Sequence, residues 1–328
     1  MPSYPGISSE AFRHPLDRQA EQTLRSVPGF NLVARKFVEF LSERPRFVYL
    51  MGNSIQVGPR QYASIYQIFR ECLRDLDIYP EPDLFVSQNP LVNAFALGQE
   101  RPSITLNTGL LDLMNEAELR SVIAHELGHI KCGHTTLSQM AIWATTAVSG
   151  LAEMTFGLSS FVTTGLLMAF YEWLRKAELS ADRAALLVMD DTNPVLHSMM
   201  RMAGGSSKHA HEINLEEFIR QSERYQQLDQ DGLNQVYKFF LYNNVSTGIF
   251  LTHPFTVERA IYLREWGDSE EYRQIHRGDY QRADADGAVD VTPEPESPAS
   301  PPPADVDQLR QQIEELQQEI DRIKRSQP

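Results

Sequence analysis

His125-Glu126-Leu127-Gly128-His129 decides the reading of this chain. It has the form H-E-x-x-H. The residues around it carry a helical pattern, with Leu119, Val122, Ile123 and Ile130 as an apolar stripe. Asn115, with Glu118 three residues on, has the form of a capping box that opens the helix. Two histidines four apart share one helical face, so both imidazoles can reach one metal ion. Glu126 between them is placed to take a proton from a metal-bound water. The plainer reading is a helix that happens to carry two histidines. The apolar stripe argues against it, because it buries the helix and buried polar residues need partners. Gly128 and the small Ala124 leave room around the helix.

Zinc takes a third protein ligand and leaves its fourth position open. One arrangement places a third histidine six residues after the second. Here that position is Thr135, and Cys132 stands where the arrangement has glycine. The other arrangement takes a glutamate from a second helix. Glu178-Leu-Ser-Ala-Asp182 fits it, on a helix predicted over roughly 171–189. Glu178 and Asp182 lie four apart on one face. Glu178 can bind the metal, and Asp182 can fix a ligand imidazole from behind. One Zn²⁺ per chain is the cofactor this ligand set favours.

Four segments taken together resemble the HtpX and type I CAAX prenyl endopeptidase family of zinc metallopeptidases. They are His125-Glu-Leu-Gly-His129, Glu178-Leu-Ser-Ala-Asp182, Asn93-Ala-Phe-Ala96, and His253-Pro254 with Arg259, in the family's order across about residues 50–265. The resemblance implies an α+β, mainly helical gluzincin domain with a small sheet at the cleft. It implies His125, His129 and Glu178 as zinc ligands and Glu126 as general base and acid. It implies that Asn93, Ala94, Phe95 and Ala96 form the edge strand that pairs with an extended protein or peptide substrate. His253 is implied as the stabiliser of the oxyanion, and Arg259 as its support. The implied activity is hydrolysis of peptide bonds in extended or unfolded segments. The competing readings are a metal-containing protein that holds chains without cutting them, and a membrane-surface scaffold. An intact Glu126 argues against pure binding.

At 328 residues the chain has ample length for a core. Its net charge of −14 argues against nucleic acid as a partner. Two cysteines are too few for a disulfide scaffold. The first residues show no secretory signal, so a cytoplasmic location, with or without membrane association, is the expectation. Residues 1–45 read as an N-terminal helical segment, interrupted at Pro28-Gly29, and 46–280 as the metallopeptidase domain. Phe47–Leu50 and Ile55–Val57 read as a hairpin around Gly52-Asn53, and Pro59 as the start of a helix to about Leu76. Leu84–Val86, Asn93–Ala96 and Ile104–Leu106 read as strands, and 212–240 as a helix. His134 reads as a C-capping or solvated residue at the end of the motif helix.

Residues 141–170 hold one charged residue, Glu153. They read either as a hairpin in contact with a membrane or as a helical hairpin over the cleft. The halves, about 12 and 18 residues, fall short of the roughly 20 that a span needs. Residues 281–303 form an acidic, Pro-rich linker. Residues 304–328 then carry heptads: Val306, Ile313 and Ile320 at a, Leu309 and Leu316 at d. The flanking pairs Asp305–Arg310 and Glu319–Lys324 are opposite in charge, so the pattern predicts a coiled coil that forms a parallel homodimer.

Overall fold

Proline and glycine set the limits of the first helices. In the computed structural model, which describes residues 3–40, 43–151, 158–244, 249–250 and 253–283, α1 (Pro15–Ser26) starts on a proline at its first position. The chain breaks at Pro28-Gly29 and resumes as α2 (Phe30–Phe40). α3 (Arg44–Asn53) follows, and here the expected hairpin is wrong. Pro45 sits in the first turn and opens a helix through Phe47–Leu50. Val48 and Tyr49 are exposed, so the run that looked like a strand does not bury alternate residues. Only Ile55–Gln56 is extended, as β1, and it pairs with β2 instead.

α4 (Ala63–Asp75) begins four residues later than Pro59, because Gly58 and Gln61 first close a turn. β2 (Asp83–Ser87), β3 (Ala94–Leu97) and β4 (Ser103–Asn107) fall at the three runs read as strands. The sheet order is β1-β2-β4-β3, with β2 and β4 parallel and β3 antiparallel to β4. Ala94 faces Leu106 and Ala96 faces Ile104. β3 is therefore an edge strand. After α5 (Thr108–Leu113) comes the motif helix α6 (Glu116–Lys131). Its capping box is complete: Asn115 Oδ1 accepts from Glu118 N, and Glu118 Oε2 accepts from Asn115 N, both at 2.9 Å. Glu118 also accepts from Arg201.

α7 (His134–Leu151) and α8 (Leu158–Met189) follow. α8 extends well before residue 171, and α9 (Thr192–Gly204) was not anticipated. A capping signal was present for α9, since Asp191 accepts from Asn193 N at 2.9 Å with Pro194 in the first turn. The single helix expected over 212–240 is two, α10 (Leu215–Leu228) and α11 (Gly232–Tyr242). Asp231 divides them by accepting from Leu233 N, a local bond that starts a new helix. β5 (Asn243–Asn244), β6 (Ile249–Phe250), α12 (Thr256–Gly267) and α13 (Glu270–His276) complete the described elements.

Two apolar clusters hold the fold. One joins the sheet to α4, α6, the C-terminal half of α8, α9 and α12. The other joins Leu24, Phe30, Ala34 and Phe37 of the N-terminal helices to Met140, Ala144, Leu166, Phe170 and Trp173 of α7 and α8. The described parts of 141–170 thus place apolar side chains in the protein's own interior. Among the described residues no helix is long and apolar enough to cross a membrane. Tyr4 N bonds Asp75 O and Ser8 N bonds Gln281 O, so the N-terminus is tied down within a compact unit that runs Met1–Asp290. The heptads and the linker from residue 284 on lie outside the described residues, as do 152–157.

Candidate active site

α6 and α8 meet at Gly128. A Cβ there would lie 2.7 Å from Ala184 Cβ and 3.0 Å from Ala181 Cα, so only glycine permits this approach. The close crossing brings His125 and His129 against Glu178, three residues before Ala181. The three side chains offer ligand atoms to a single point. His125 Nε2 and His129 Nε2 are 3.2 Å apart. Glu178 Oε2 lies 3.3 Å from His125 Nε2, and its Oε1 3.4 Å from His129 Nε2. A tetrahedral zinc with bonds of about 2.0–2.1 Å separates its ligand atoms by about 3.3–3.4 Å, so the residues fit the ion.

Hydrogen bonding behind the ligands supports the same fit. Asp182 Oδ1 lies 3.0 Å from His125 Nδ1. A carboxylate only accepts, so His125 carries a proton on Nδ1, which leaves Nε2 as the atom that can face a metal. Glu178 is buried, and its Oε2 accepts no hydrogen bond although Arg259 Nη1 lies 3.2 Å away. Acceptors crowded together without a donor between them call for a cation.

Arg259, from α12, is buried against Asp182 and Glu178. Its Nε donates to Asp182 Oδ2 at 2.9 Å and its Nη2 to Asp182 Oδ1 at 2.5 Å. Burial alone would raise the Asp182 carboxyl, but Arg259 outweighs it and holds the group below the usual carboxylate range. Burial likewise opposes ionisation of Glu178, and His253 and Arg259 keep it well below that range. Burial would lower the His125 imidazole, yet Asp182 and Glu178 push it up to about 10. The centre therefore attracts positive charge strongly.

His253 stands at the rim with its Nδ1 3.0 Å from Glu178 Oε1, its side chain half-exposed. The carboxylate raises its pKa. Tyr242 anchors this segment, accepting from Phe255 N at 2.8 Å and donating to Glu258 Oε2 at 3.0 Å. The sequence carried no signal for Tyr242. Glu126, Asn93, Ala94 and His253 line one cleft of about 220 Å³, with Val122, Val195, Met199 and Met202 as apolar wall. Phe95 is partly exposed and Ala96 buried, as alternation along β3 requires; neither lines the cleft.

The expectation for His134 is overturned. α6 ends at Lys131, and Gly133 at φ +70° turns the chain sharply. His134 then opens α7, fully buried, with its ring 5.2 Å from that of His129. Cys132 is buried, and burial pushes its thiol up, so it is a small core residue.

Fold and site together define a metal-dependent peptidase built on two ligand-bearing helices. The family model for peptidase family M48 matches residues 59–267, and the chain belongs to that family. It is 33% identical over 277 residues to a protein of Arabidopsis thaliana named plastoglobule-localized metallopeptidase 48, chloroplastic, with 82% of this chain and 76% of that one covered. It is 25% identical to a protease HtpX homolog of Methylibium petroleiphilum, covering 66% of this chain and 80% of the relative. A Streptococcus pyogenes HtpX homolog is 30% identical over a shorter stretch, 33% of this chain and 36% of the relative. No solved structure matches. The protein is accordingly a metalloprotease, a hydrolase that acts on protein or peptide substrates.

Proposed function

We propose that the protein is a zinc endopeptidase that cuts extended or unfolded protein segments. The convergence of two imidazole nitrogens and the two oxygens of one buried carboxylate, at separations of 3.2–3.4 Å, carries this reading. His125, His129 and Glu178 would hold the ion. When bound, zinc supplies Lewis acidity toward water and the scissile carbonyl. Glu126, on the same helix and open to the cleft, takes the water proton and returns it to the leaving amine. His253 uses Nδ1 to hold Glu178, which leaves Nε2 to donate to the oxyanion. Asp182 orients His125, and Arg259 orients Asp182 and Glu178. The substrate backbone adds to the free edge of β3 at Asn93 and Ala94, and the apolar wall of the cleft takes a side chain.

The test is hydrolysis of casein with zinc determined by elemental analysis, for wild type and Glu126→Gln. Stoichiometric zinc in both with cleavage by wild type alone is the expected result. Properly folded protein without zinc would overturn the ligand assignment.

The enzyme further works at a lipid surface in this proposal. Its Arabidopsis relative is named for plastoglobules. α11 presents Leu233, Val236, Tyr237, Phe240 and Leu241 to solvent at helical spacing, and its last residue, Tyr242, holds the segment that carries His253.

A further inference from the structure

Asp17 of α1 lies wholly buried, 112 residues before His129 in the chain. Its carboxylate accepts from Arg13 Nε at 2.8 Å and Nη2 at 3.1 Å, from Trp173 Nε1 at 3.2 Å and from Ser180 Oγ at 2.7 Å. One further contact has chemical consequences. His134 Nε2 lies 3.0 Å from Asp17 Oδ2. Because the carboxylate can only accept, the His134 proton sits on Nε2 and its Nδ1 is an acceptor. That Nδ1 lies 3.0 Å from His129 Nδ1. His129 must then donate from Nδ1, and its lone pair is at Nε2, the atom that faces His125 and Glu178.

We infer that Asp17 and His134 are positioning residues of the metal centre, fixing the tautomer and ring angle of His129 through the chain Asp17–His134–His129. Each ligand imidazole then has its own carboxylate: His125 has Asp182 directly, and His129 has Asp17 through a second imidazole. Such partners behind a ligand raise its basicity and hold its direction. The match to the family model begins at residue 59, so Asp17 comes from a helix outside it. The N-terminal helix is by this inference part of the active centre and not an accessory. The inference rests on His129 being a zinc ligand.

Two measurements test it. Selective ¹⁵N-histidine labelling of the zinc-loaded wild type, read by long-range ¹H–¹⁵N correlation, should show His134 as the Nε2–H tautomer. His129 should show a protonated Nδ1. The opposite tautomer at His134 overturns the relay without any mutation. Zinc affinity by competition with a chromogenic chelator then separates hydrogen bonding from packing. His134→Phe keeps a ring but offers no acceptor, and should weaken zinc by roughly 10- to 100-fold. His134→Gln loses the ring but retains an acceptor oxygen, and should stay within a few-fold of wild type. Asp17→Asn should fall between them. Equal affinity of the Phe variant and wild type, or a Gln variant weaker than the Phe variant, overturns the inference. If the Phe variant does not fold, the tautomer and Asp17→Asn decide. Wild-type protein that binds no zinc fails the ligand assignment itself, a result distinct from zinc bound without the relay.

Discussion

At the scale of the residue, Arg259 is the most constrained member of the centre. It makes two hydrogen bonds to Asp182 and approaches Glu178, and all three are buried. The planar guanidinium fits this two-oxygen contact, whereas an ammonium offers a point charge. Arg259→Lys keeps the charge and loses the fork. It should lower kcat/KM by about tenfold or more, since Asp182 can then swing and release His125. Steady-state kinetics on a fluorogenic peptide checks this, and unchanged kinetics would place the function of Arg259 in folding alone. Arg259 was legible as a residue to watch only through resemblance. Its contacts were not, because nothing in the linear order joins α12 to the face of α8.

At the scale of the element, the crossing of α6 and α8 decides whether a site forms. Gly128→Val puts a branched side chain where a single Cβ already meets Ala184 and Ala181. Forcing the helices apart should cost about 1–3 kcal/mol of stability, read by urea denaturation. Zinc affinity should fall as well, because His125 and His129 move away from Glu178. Full zinc affinity in this variant would show that the crossing is not what sets the ligand distances. α11 is tested separately. Leu233→Asp with Leu241→Asp should abolish flotation on phosphatidylcholine vesicles and leave cleavage of a soluble peptide unchanged. Flotation that survives both changes would remove α11 from the membrane contact and return attention to residues 141–170.

At the scale of the whole molecule, the compact unit that carries the site runs Met1–Asp290, and the heptad positions 304–328 follow it in the sequence. Three heptads with matched flanking charges favour a parallel pair of chains. Removing residues 304–328 should lower the mass found by light scattering and leave peptidase activity intact. An unchanged mass would locate self-association elsewhere or exclude it. The opposite end of the chain differs in kind. The N-terminal helices share an apolar cluster with α7 and α8, and Asp17 meets His134 beside His129.

The sequence by itself determined the motif helix, its capping box, a strand at Asn93–Ala96 and the acidic pair on a second helix. All of these are local patterns, in which spacing of a few residues fixes which side chains share a face. It misread Phe47–Leu50, because β-branched and aromatic residues favour a strand while Pro45 favours a helix, and local propensity does not settle which prevails. It misread His134 for a different reason. Whether a histidine after a helix end is solvated or buried depends on what covers it, here Trp173 and Asp17 from distant parts of the chain. Only the tertiary structure decided that α6 and α8 touch at Gly128, that Arg259 pairs with Asp182, and that Asp17 of α1 meets His134 beside His129. These are contacts between residues tens to more than a hundred positions apart. They are set by how apolar faces of whole elements pack together, and no short stretch of the chain contains that information.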